Sequence, residues 1–140
     1  MKISQIGIEL IKKWESFQPI AYLCPAGIWT IGYGHTKNVK QFDTINENEA
    51  SHLLKNEVIE YEKIVNKNLK VNVNQNQYDA LVSHTYNTGG SHNLFRLINE
   101  KAEKERIYNW FTMHYISANG TILKGLKLRR IDEAELFFKL

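Results

Sequence analysis

The stretch Tyr22–Thr36, YLCPAGIWTIGYGHT, differs from the rest of the sequence in both composition and pattern. It contains the only cysteine, Cys24, and glycines at positions 27, 32 and 34 that separate short β-branched and aromatic pieces. Such punctuation is typical of short strands joined by tight turns. We therefore expect a small hairpin or a three-stranded sheet between positions 21 and 36, with a cysteine that is either buried filler or a reactive group.

The residues before this stretch follow the pattern of an amphipathic helix. Apolar side chains recur at helical spacing between positions 3 and 14, and Ser4 is available as an N-cap. Glu9 precedes Lys13 by four residues, which favours an ion pair on one helix face. Because Pro19 prevents the helix from running much further, we expect it to end near Glu15.

The residues after the stretch predict a mainly helical remainder. Asn46 and Glu49 form a capping-box pattern at the start of a long helix, and a further helix begins near Gln75 and stops at a glycine signal at Gly89. Three more helical stretches are expected, at about 94–99, 105–115 and 128–138.

These elements together predict the α+β class. We expect a single domain, 1–140, with a small sheet lobe at about 1–45 in which the first helix packs on the sheet. A linking helix at about 46–67 would join it to a mainly helical lobe at about 68–140. The cleft between the lobes is where we expect a site.

Composition limits the functional classes only weakly. The 140 residues suit one domain, and a formal charge of +3 with a pI near 8.9 gives a slight attraction to polyanions. A single cysteine cannot form an internal disulfide, so synthesis in a reducing cytoplasm is expected. The first residues carry charges where a signal peptide has an apolar core, and no stretch approaches the ~20 apolar residues of a membrane span. We therefore expect neither a signal peptide nor stable membrane insertion.

Glu15 is the first candidate for chemistry. It stands at the predicted C-terminal end of a helix, beside Trp14 and Phe17. The negative end of the helix dipole and an apolar neighbourhood both disfavour the ionised carboxylate, and a carboxyl group that keeps its proton can act as a general acid. The alternative is a surface glutamate that happens to follow an apolar helix face.

Cys24 and Thr30 lie six residues apart around a Pro-Ala-Gly turn, which could direct both side chains toward the end of the first helix. A thiol near a hydroxyl and a carboxyl could form a reactive set, although a lone cysteine is more often a small buried hydrophobe. A cysteine peptidase or amidase would also need a histidine to ionise the thiol, and none of the five histidines lies in a recognisable peptidase motif.

The remaining polar motifs favour structural roles. The histidines lack metal-site spacing, and there is no phosphate loop or dinucleotide motif, so we expect no metal, no cofactor and no nucleic-acid partner. His84 is expected to be a packed or hydrogen-bonded core residue. Arg129 and Arg130 precede three acidic residues, which predicts an ion-pair network on the surface of the last helix.

The spacing of Glu15, Cys24 and Thr30 resembles the catalytic pattern of phage-type lysozymes, the muramidases that phages use as endolysins. That pattern is a glutamate, eight residues, an aspartate or less often a cysteine, five residues, and a threonine that opens TIGYGHT. Eight residues separate Glu15 from Cys24 here, and five separate Cys24 from Thr30. All three positions match without a gap.

Two later segments extend the resemblance over nearly the whole chain. The segment QNQYDALVSHTYNTG, at 75–89, is similar to the family's QNQFDALVSFVFNxG helix, and residues 120–137 are similar to its GLxxRRxxE closing motif. The loop after Gly89 looks shorter than usual, and Tyr115 stands where a tryptophan is frequent. These departures concern groove shape and stability more than identity.

The resemblance implies a lysozyme-like fold and a glycoside hydrolase that cuts the β-1,4 bond between N-acetylmuramic acid and N-acetylglucosamine in peptidoglycan. It implies that Glu15 is the general acid, that Thr30 holds the attacking water and that Cys24 replaces the residue that activates this water. It also implies a monomer of phage or prophage origin that acts on the cell wall after release through a holin-type pore.

Other roles are carried over from the same resemblance. Three residues map to the cleft side of the family's motifs and could contact sugars: Thr36, Tyr86 and Asn87. His35 would be a hydrogen-bonding support beneath the sheet, and Arg129 and Arg130 would be structural ties.

Several alternatives stay open from the sequence. Cys24 could act as a base on water, which gives inversion, or attack the anomeric carbon, which gives retention. A catalytically silent peptidoglycan-binding protein and a cysteine peptidase or amidase are the competing classes. Intact Glu15 and Thr30 argue against the first, and the lack of a histidine motif argues against the second.

Overall fold

The computed structural model describes residues 1–140 and confirms the α+β class. Its elements follow in the order α1 (Gln5–Glu15), β1 (Gln18–Leu23), β2 (Trp29–Gly32), α2 (Glu47–Asn68), α3 (Gln75–Thr88), α4 (His92–Asn99), α5 (Lys104–Met113), β3 (Ser117–Ala118), β4 (Thr121–Ile122) and α6 (Lys124–Phe137). Each pair of strands forms its own two-stranded antiparallel sheet. None of the helices combines the length and the apolar character that a membrane span requires.

Helix α1 ends at Glu15, as predicted, because the chain turns there. Ser16 has a φ of 61°, and its N–H donates to the carbonyl oxygen of Lys12. Ser4 occupies the N-cap position, but its backbone N–H and its hydroxyl both donate to Asp79 of α3 rather than capping α1. The start of α1 is therefore fixed by tertiary contacts.

The prediction of a Glu9–Lys13 pair within α1 is wrong. The Nζ of Lys13 lies 2.6 Å from Oδ2 of Asp132 on α6, and Nε1 of Trp14 donates to the same oxygen at 3.0 Å. Glu9 instead lies 3.8 Å from Nζ of Lys12. The last turn of α1 is thus tied to α6.

Strands β1 and β2 form a two-stranded hairpin, the first of the two alternatives predicted for this stretch. Tyr22 pairs with Thr30, and the turn beyond them is closed by backbone hydrogen bonds on both sides of Cys24. The N–H of Cys24 donates to Ile28 at 3.0 Å, and its carbonyl oxygen accepts from Gly27 at 2.8 Å. These bonds fix the position of Cys24 at the tip of the hairpin.

Helix α2 begins with the predicted capping box. The N–H of Glu49 donates to the Asn46 side chain at 2.8 Å, and the N–H of Asn46 donates to the Glu49 carboxylate at 3.2 Å. The helix contacts both β2 and α3. It buries Ala50, Leu54, Val58, Glu62 and Val65.

Helix α3 lies at the centre of the molecule. Every residue from Tyr78 to Thr85 is buried, and the helix packs against α1, α2 and α6. It ends at Gly89 with a φ of 85°, the predicted glycine C-cap. Helix α1 packs chiefly against α3 and not on the sheet as expected, whereas the proposed division into lobes stays a prediction.

The later elements begin earlier than predicted or were not predicted at all. Helix α4 starts two residues and α6 four residues before the expected positions. The separator around Asn119 and Gly120 forms the turn of the β3–β4 hairpin, with φ values of 52° and 79°. An Asn-Gly pair is a strong hairpin signal, but these strands are too short to show an alternating pattern.

Candidate active site

The Glu15 carboxyl group lies between α6 and the glycine-rich turn that follows β2. Its Oε2 accepts a hydrogen bond from Nη1 of Arg129 at 2.5 Å. Its Oε1 lies 3.1 Å from the point where a Cβ on Gly34 would stand. The apolar neighbourhood expected around Glu15 is therefore wrong, because a guanidinium group and a close backbone segment surround this carboxyl.

Gly34 is required at its position for two reasons. Its φ of 87° lies in the left-handed region, and a side chain there would contact the Glu15 carboxyl. The hydroxyl of Tyr86 lies 3.7 Å from the same Cβ position. The TIGYGHT segment thus brings bare backbone to the end of α1.

Tyr86 anchors this turn to α3. Its hydroxyl donates to the carbonyl oxygen of Tyr33 at 2.9 Å, and its ring packs edge-on against Tyr61 of α2. Burial, together with the negative charges of Glu15 and Glu57, raises the pKa of Tyr86. The phenol therefore stays protonated and keeps its hydrogen bond.

Cys24 is partly exposed at the hairpin tip, so it is not buried filler. The backbone N–H groups of Ile28 and Ala26 lower the pKa of Cys24, and the Thr30 hydroxyl lowers it further. Thr30 is buried, and its hydroxyl also donates to the carbonyl oxygen of Ile28 at 3.0 Å. This hydroxyl can turn between that oxygen and the thiol, so the structure brings Cys24 and Thr30 together.

The other sequence-predicted residues occupy different positions around this region. Thr36 is exposed beyond the turn, and Asn87 is exposed on the last turn of α3. The Asn87 Oδ1 accepts from Nη2 of Arg130 at 2.6 Å. His35 pairs with Glu57 of α2, and its backbone forms two hydrogen bonds with Ile31, each 2.9 Å long.

The prediction of a surface ion-pair network for Arg129 and Arg130 is wrong. Their exposed fractions are 3% and 0%, and both face the core from α6. Helical spacing gave a clue to the burial of Arg130. Arg130, Ala134 and Phe137 stand at positions i, i+4 and i+7 of one helix face, and all three are buried. Because arginine is usually exposed, the sequence did not indicate that the buried face of α6 extends to Arg130.

Glu133 joins the two arginines inside the protein. It is 0% exposed, and its Oε2 lies 3.4 Å from Nε of Arg129. Its Oε1 lies 3.1 Å from Nε of Arg130, a charge contact without the alignment of a hydrogen bond. Burial alone would raise the pKa of Glu133, but a hydrogen bond from His84 and the two arginine charges outweigh it and lower this pKa.

His84 is the hydrogen-bonded core residue that the sequence predicts. Its Nδ1 lies 3.2 Å from Oε1 of Glu133, and its Nε2 lies 2.6 Å from Oγ of Ser91. Burial lowers the pKa of His84, which favours the neutral ring. A neutral imidazole can donate from Nδ1 to the carboxylate and accept the serine hydroxyl at Nε2.

A model of the phage lysozyme family matches residues 12–133, a range that holds the Glu15 site and the buried arginines. The chain belongs to the phage lysozyme family.

Named relatives of this phage-type lysozyme agree with that assignment. An endolysin of Acyrthosiphon pisum secondary endosymbiont phage 1 is 35% identical over 143 residues, which cover 98% of each chain. An endolysin of Bacillus phage B103 is 38% identical over 98% of this chain, which spans only 54% of that longer relative. The solved muramidase domain of SpmX from Asticaccaulis excentricus is 30% identical, with a TM-score of 0.89 over 99% of both chains.

Some contacts of the lysozyme site could not be anticipated from the sequence pattern. The pairing of Arg129 with Glu15 joins residues 114 positions apart, and the pairing of His35 with Glu57 joins residues 22 apart. Neither has a local spacing signal. The closing motif, which holds Arg129, Arg130 and Glu133, was the one sequence feature that could have indicated a buried cluster of charges.

We predict that His84 makes the stability of the protein depend on pH between about 7 and 5.5. Its folded-state pKa is lowered, whereas the unfolded residue titrates near about 6.5. The unfolded state therefore binds more protons as the pH falls, and this part of the stability is lost toward lower pH. Thermal unfolding of His84→Gln, which cannot titrate, should show a smaller decrease in Tm over this range than the unsubstituted protein.

The matched control is His52→Gln, at an exposed position on α2. This variant should follow the pH dependence of the unsubstituted protein. Parallel curves for all three proteins would contradict the prediction.

Proposed function

We propose that this protein is an endolysin-type muramidase that hydrolyses the β-1,4 bond between N-acetylmuramic acid and N-acetylglucosamine in peptidoglycan, and so lyses the bacterial cell wall. The observation that carries the proposal is the Glu15 carboxyl, held by Arg129 on one oxygen beside the Gly34 turn. Membership of the phage lysozyme family supports a lysozyme-type glycoside hydrolase. Relatives named as endolysins and as a muramidase domain belong to the same class.

In this proposal Glu15 is the general acid. Because Arg129 occupies Oε2, the proton is delivered from Oε1 to the glycosidic oxygen as the bond to the anomeric carbon breaks. The carboxylate left behind is stabilised by the guanidinium group already in contact with it.

Cys24 and Thr30 complete the proposed catalytic set. A thiol with a lowered pKa supplies part of the negative charge that an aspartate would place opposite an oxocarbenium-like transition state. The Thr30 hydroxyl oxygen can accept a hydrogen bond from the attacking water, even while its proton is donated to Ile28. Cys24 would either activate this water or attack the anomeric carbon itself.

Thr36, Tyr86 and Asn87 are proposed as sugar contacts. The Oδ1 of Asn87 accepts from Arg130, which leaves its NH₂ group as the donor available to a ligand. Thr36 offers an exposed hydroxyl. The Tyr86 hydroxyl already donates a hydrogen bond to the carbonyl oxygen of Tyr33, so toward a sugar it can act only as an acceptor.

We propose a monomer that acts on the cell wall after release through a holin-type pore, by analogy with the family. The formal charge of +3 would aid approach to an anionic wall.

We predict that Glu15→Gln reduces hydrolysis of purified peptidoglycan at least about 100-fold, because the amide cannot deliver a proton. New reducing ends and new amino groups would be measured side by side, since a peptidase or amidase releases amino groups instead. Glu9→Gln, at an exposed position on the same helix, is the matched control and should retain full activity. Rapid release of reducing ends by Glu15→Gln would rule out this acid.

We predict that Cys24→Asp remains active at neutral pH and loses the alkaline limb that the thiol gives to the pH–rate profile, because an aspartate ionises at much lower pH. Cys24→Ser, which has no ionising group, should be nearly inactive at every pH. The anomer first released from a muropeptide oligomer, observed by NMR, would show inversion if Cys24 activates water and retention if it attacks the sugar. Full activity of Cys24→Ser would remove Cys24 from the mechanism.

We predict that Gly34→Ala lowers turnover at least about tenfold, because the new methyl group would displace the Glu15 carboxyl and a small misplacement of a catalytic group is costly. Gly120→Ala is the matched control, since Gly120 also has a positive φ of 79° but a Cβ there meets no atom within 4 Å. Both variants carry backbone strain. Equal activity of the two would show that contact with Glu15 does not matter.

A further inference from the structure

Glu133 is a buried carboxylate that the catalytic steps above do not use. Both of its oxygens are fixed from α3: Oε2 accepts from Oγ of Ser83 at 2.8 Å, and Oε1 lies 3.2 Å from Nδ1 of His84. Burying a carboxylate is costly unless oppositely charged groups lie next to it. Those groups are Arg129 and Arg130, one helical turn earlier on α6.

The guanidinium group of Arg129 is shared between two carboxylates. Its Nε faces Glu133 at 3.4 Å, its Nη1 donates to Glu15 at 2.5 Å, and its Nη2 lies 3.4 Å from the carbonyl oxygen of Ser83. A planar guanidinium group held at one edge presents its other edge in a fixed direction. Glu133 therefore aims Arg129 at the carboxyl group of Glu15.

The charges around Glu15 also depend on Glu133. Arg129 contacts Glu15 and Arg130 interacts with it electrostatically, so two buried guanidinium groups and one buried carboxylate leave a single net positive charge acting on Glu15 from α6. The other titratable groups nearby are neutral or already paired. His84 and Tyr86 on α3 are neutral. The paired groups are His35 with Glu57 of α2, Lys12 of α1 with Glu47 of α2, and Lys13 of α1 with Asp132 of α6. Without Glu133, Glu15 would be the only carboxylate facing both arginines.

We propose that Glu133 is a positioning residue for the general acid: it orients Arg129 toward Glu15 and neutralises one of the two buried guanidinium charges, so that Glu15 can hold the proton it delivers. This inference rests on the proposed role of Glu15. It assigns to the closing motif a function in proton delivery in addition to holding α6 on α3.

Three variants test the charge balance in opposite directions. The net charge that Arg129, Arg130 and residue 133 present to Glu15 is +1 in the unsubstituted protein. It becomes +2 in Glu133→Gln and zero in Arg130→Gln, and it returns to +1 in the double variant. The measurement is the pH midpoint at which the Glu15 carboxyl ionises, followed by ¹³C NMR of labelled glutamate side chains and assigned with Glu15→Gln.

We expect the midpoint to fall by about one pH unit in Glu133→Gln, to rise in Arg130→Gln and to return near the original value in the double variant. Turnover of Glu133→Gln at neutral pH should fall about tenfold, because tenfold less acid is protonated. Unchanged midpoints in the folded variants would overturn the proposal, since a purely structural role lowers Tm without moving them.

Two features keep the test decisive. Should Glu133→Gln fail to fold, the other two variants still give different predictions: a raised midpoint in Arg130→Gln, and a midpoint near the original value in the double variant, in which a buried pair is replaced by neutral amides. Failure of the proposed function would appear separately, as peptidoglycan hydrolysis that survives Glu15→Gln. Loss of hydrolysis in Glu15→Gln with midpoints that do not move would contradict only the role of Glu133.

Discussion

The contact between Arg129 and Glu15 is the interaction on which the rest of the site depends. It joins the last turn of the first helix to the last helix, across 114 positions of sequence, and places a buried positive charge against the carboxyl group. A buried guanidinium group is costly to desolvate and is tolerated only when its donors are matched. The site therefore forms only when α1 and α6 have both docked on α3.

Helix α3 offsets the cost of burying these charges, because it supplies polar groups to an otherwise apolar interior. Ser83 and His84 bind Glu133, and Asn87 binds Arg130. The same helix carries Tyr86, which holds the turn after β2. One central helix thus contacts the buried charges of α6 on one face and holds the turn after β2 through Tyr86.

Local signals in the sequence predicted local structure well. Pro19 correctly predicted that α1 ends near Glu15, the capping box of Asn46 and Glu49 begins α2, and Gly89 ends α3. The spacing from Glu15 to Thr30 indicated the phage lysozyme family, and the match to the family model confirms it.

Features that depend on distant partners could not be predicted in the same way. Arg129 and Arg130 looked like surface residues because acidic neighbours at i+3 and i+4 are equally typical of a solvated helix. Helix α1 was expected on the sheet, since the sheet follows it directly in sequence, but Asp79 and Asp132 draw it to α3 and α6. Residue types alone do not tell a solvated charge from one that is buried with its partners.

The backbone at the hairpin tip favours the ionised form of Cys24. An ordinary thiol is mostly neutral at pH 7, whereas an aspartate is ionised, so Cys24 would lack charge in an unaltered setting. The backbone N–H groups of Ile28 and Ala26 lower the pKa of Cys24, and these groups belong to the turn itself rather than to replaceable side chains. The closing hydrogen bonds between Cys24 and Ile28 and between Gly27 and Cys24 hold those donors in place. The same turn that fixes the position of Cys24 therefore also favours its ionised form, which is the property that the proposed catalytic role of Cys24 requires.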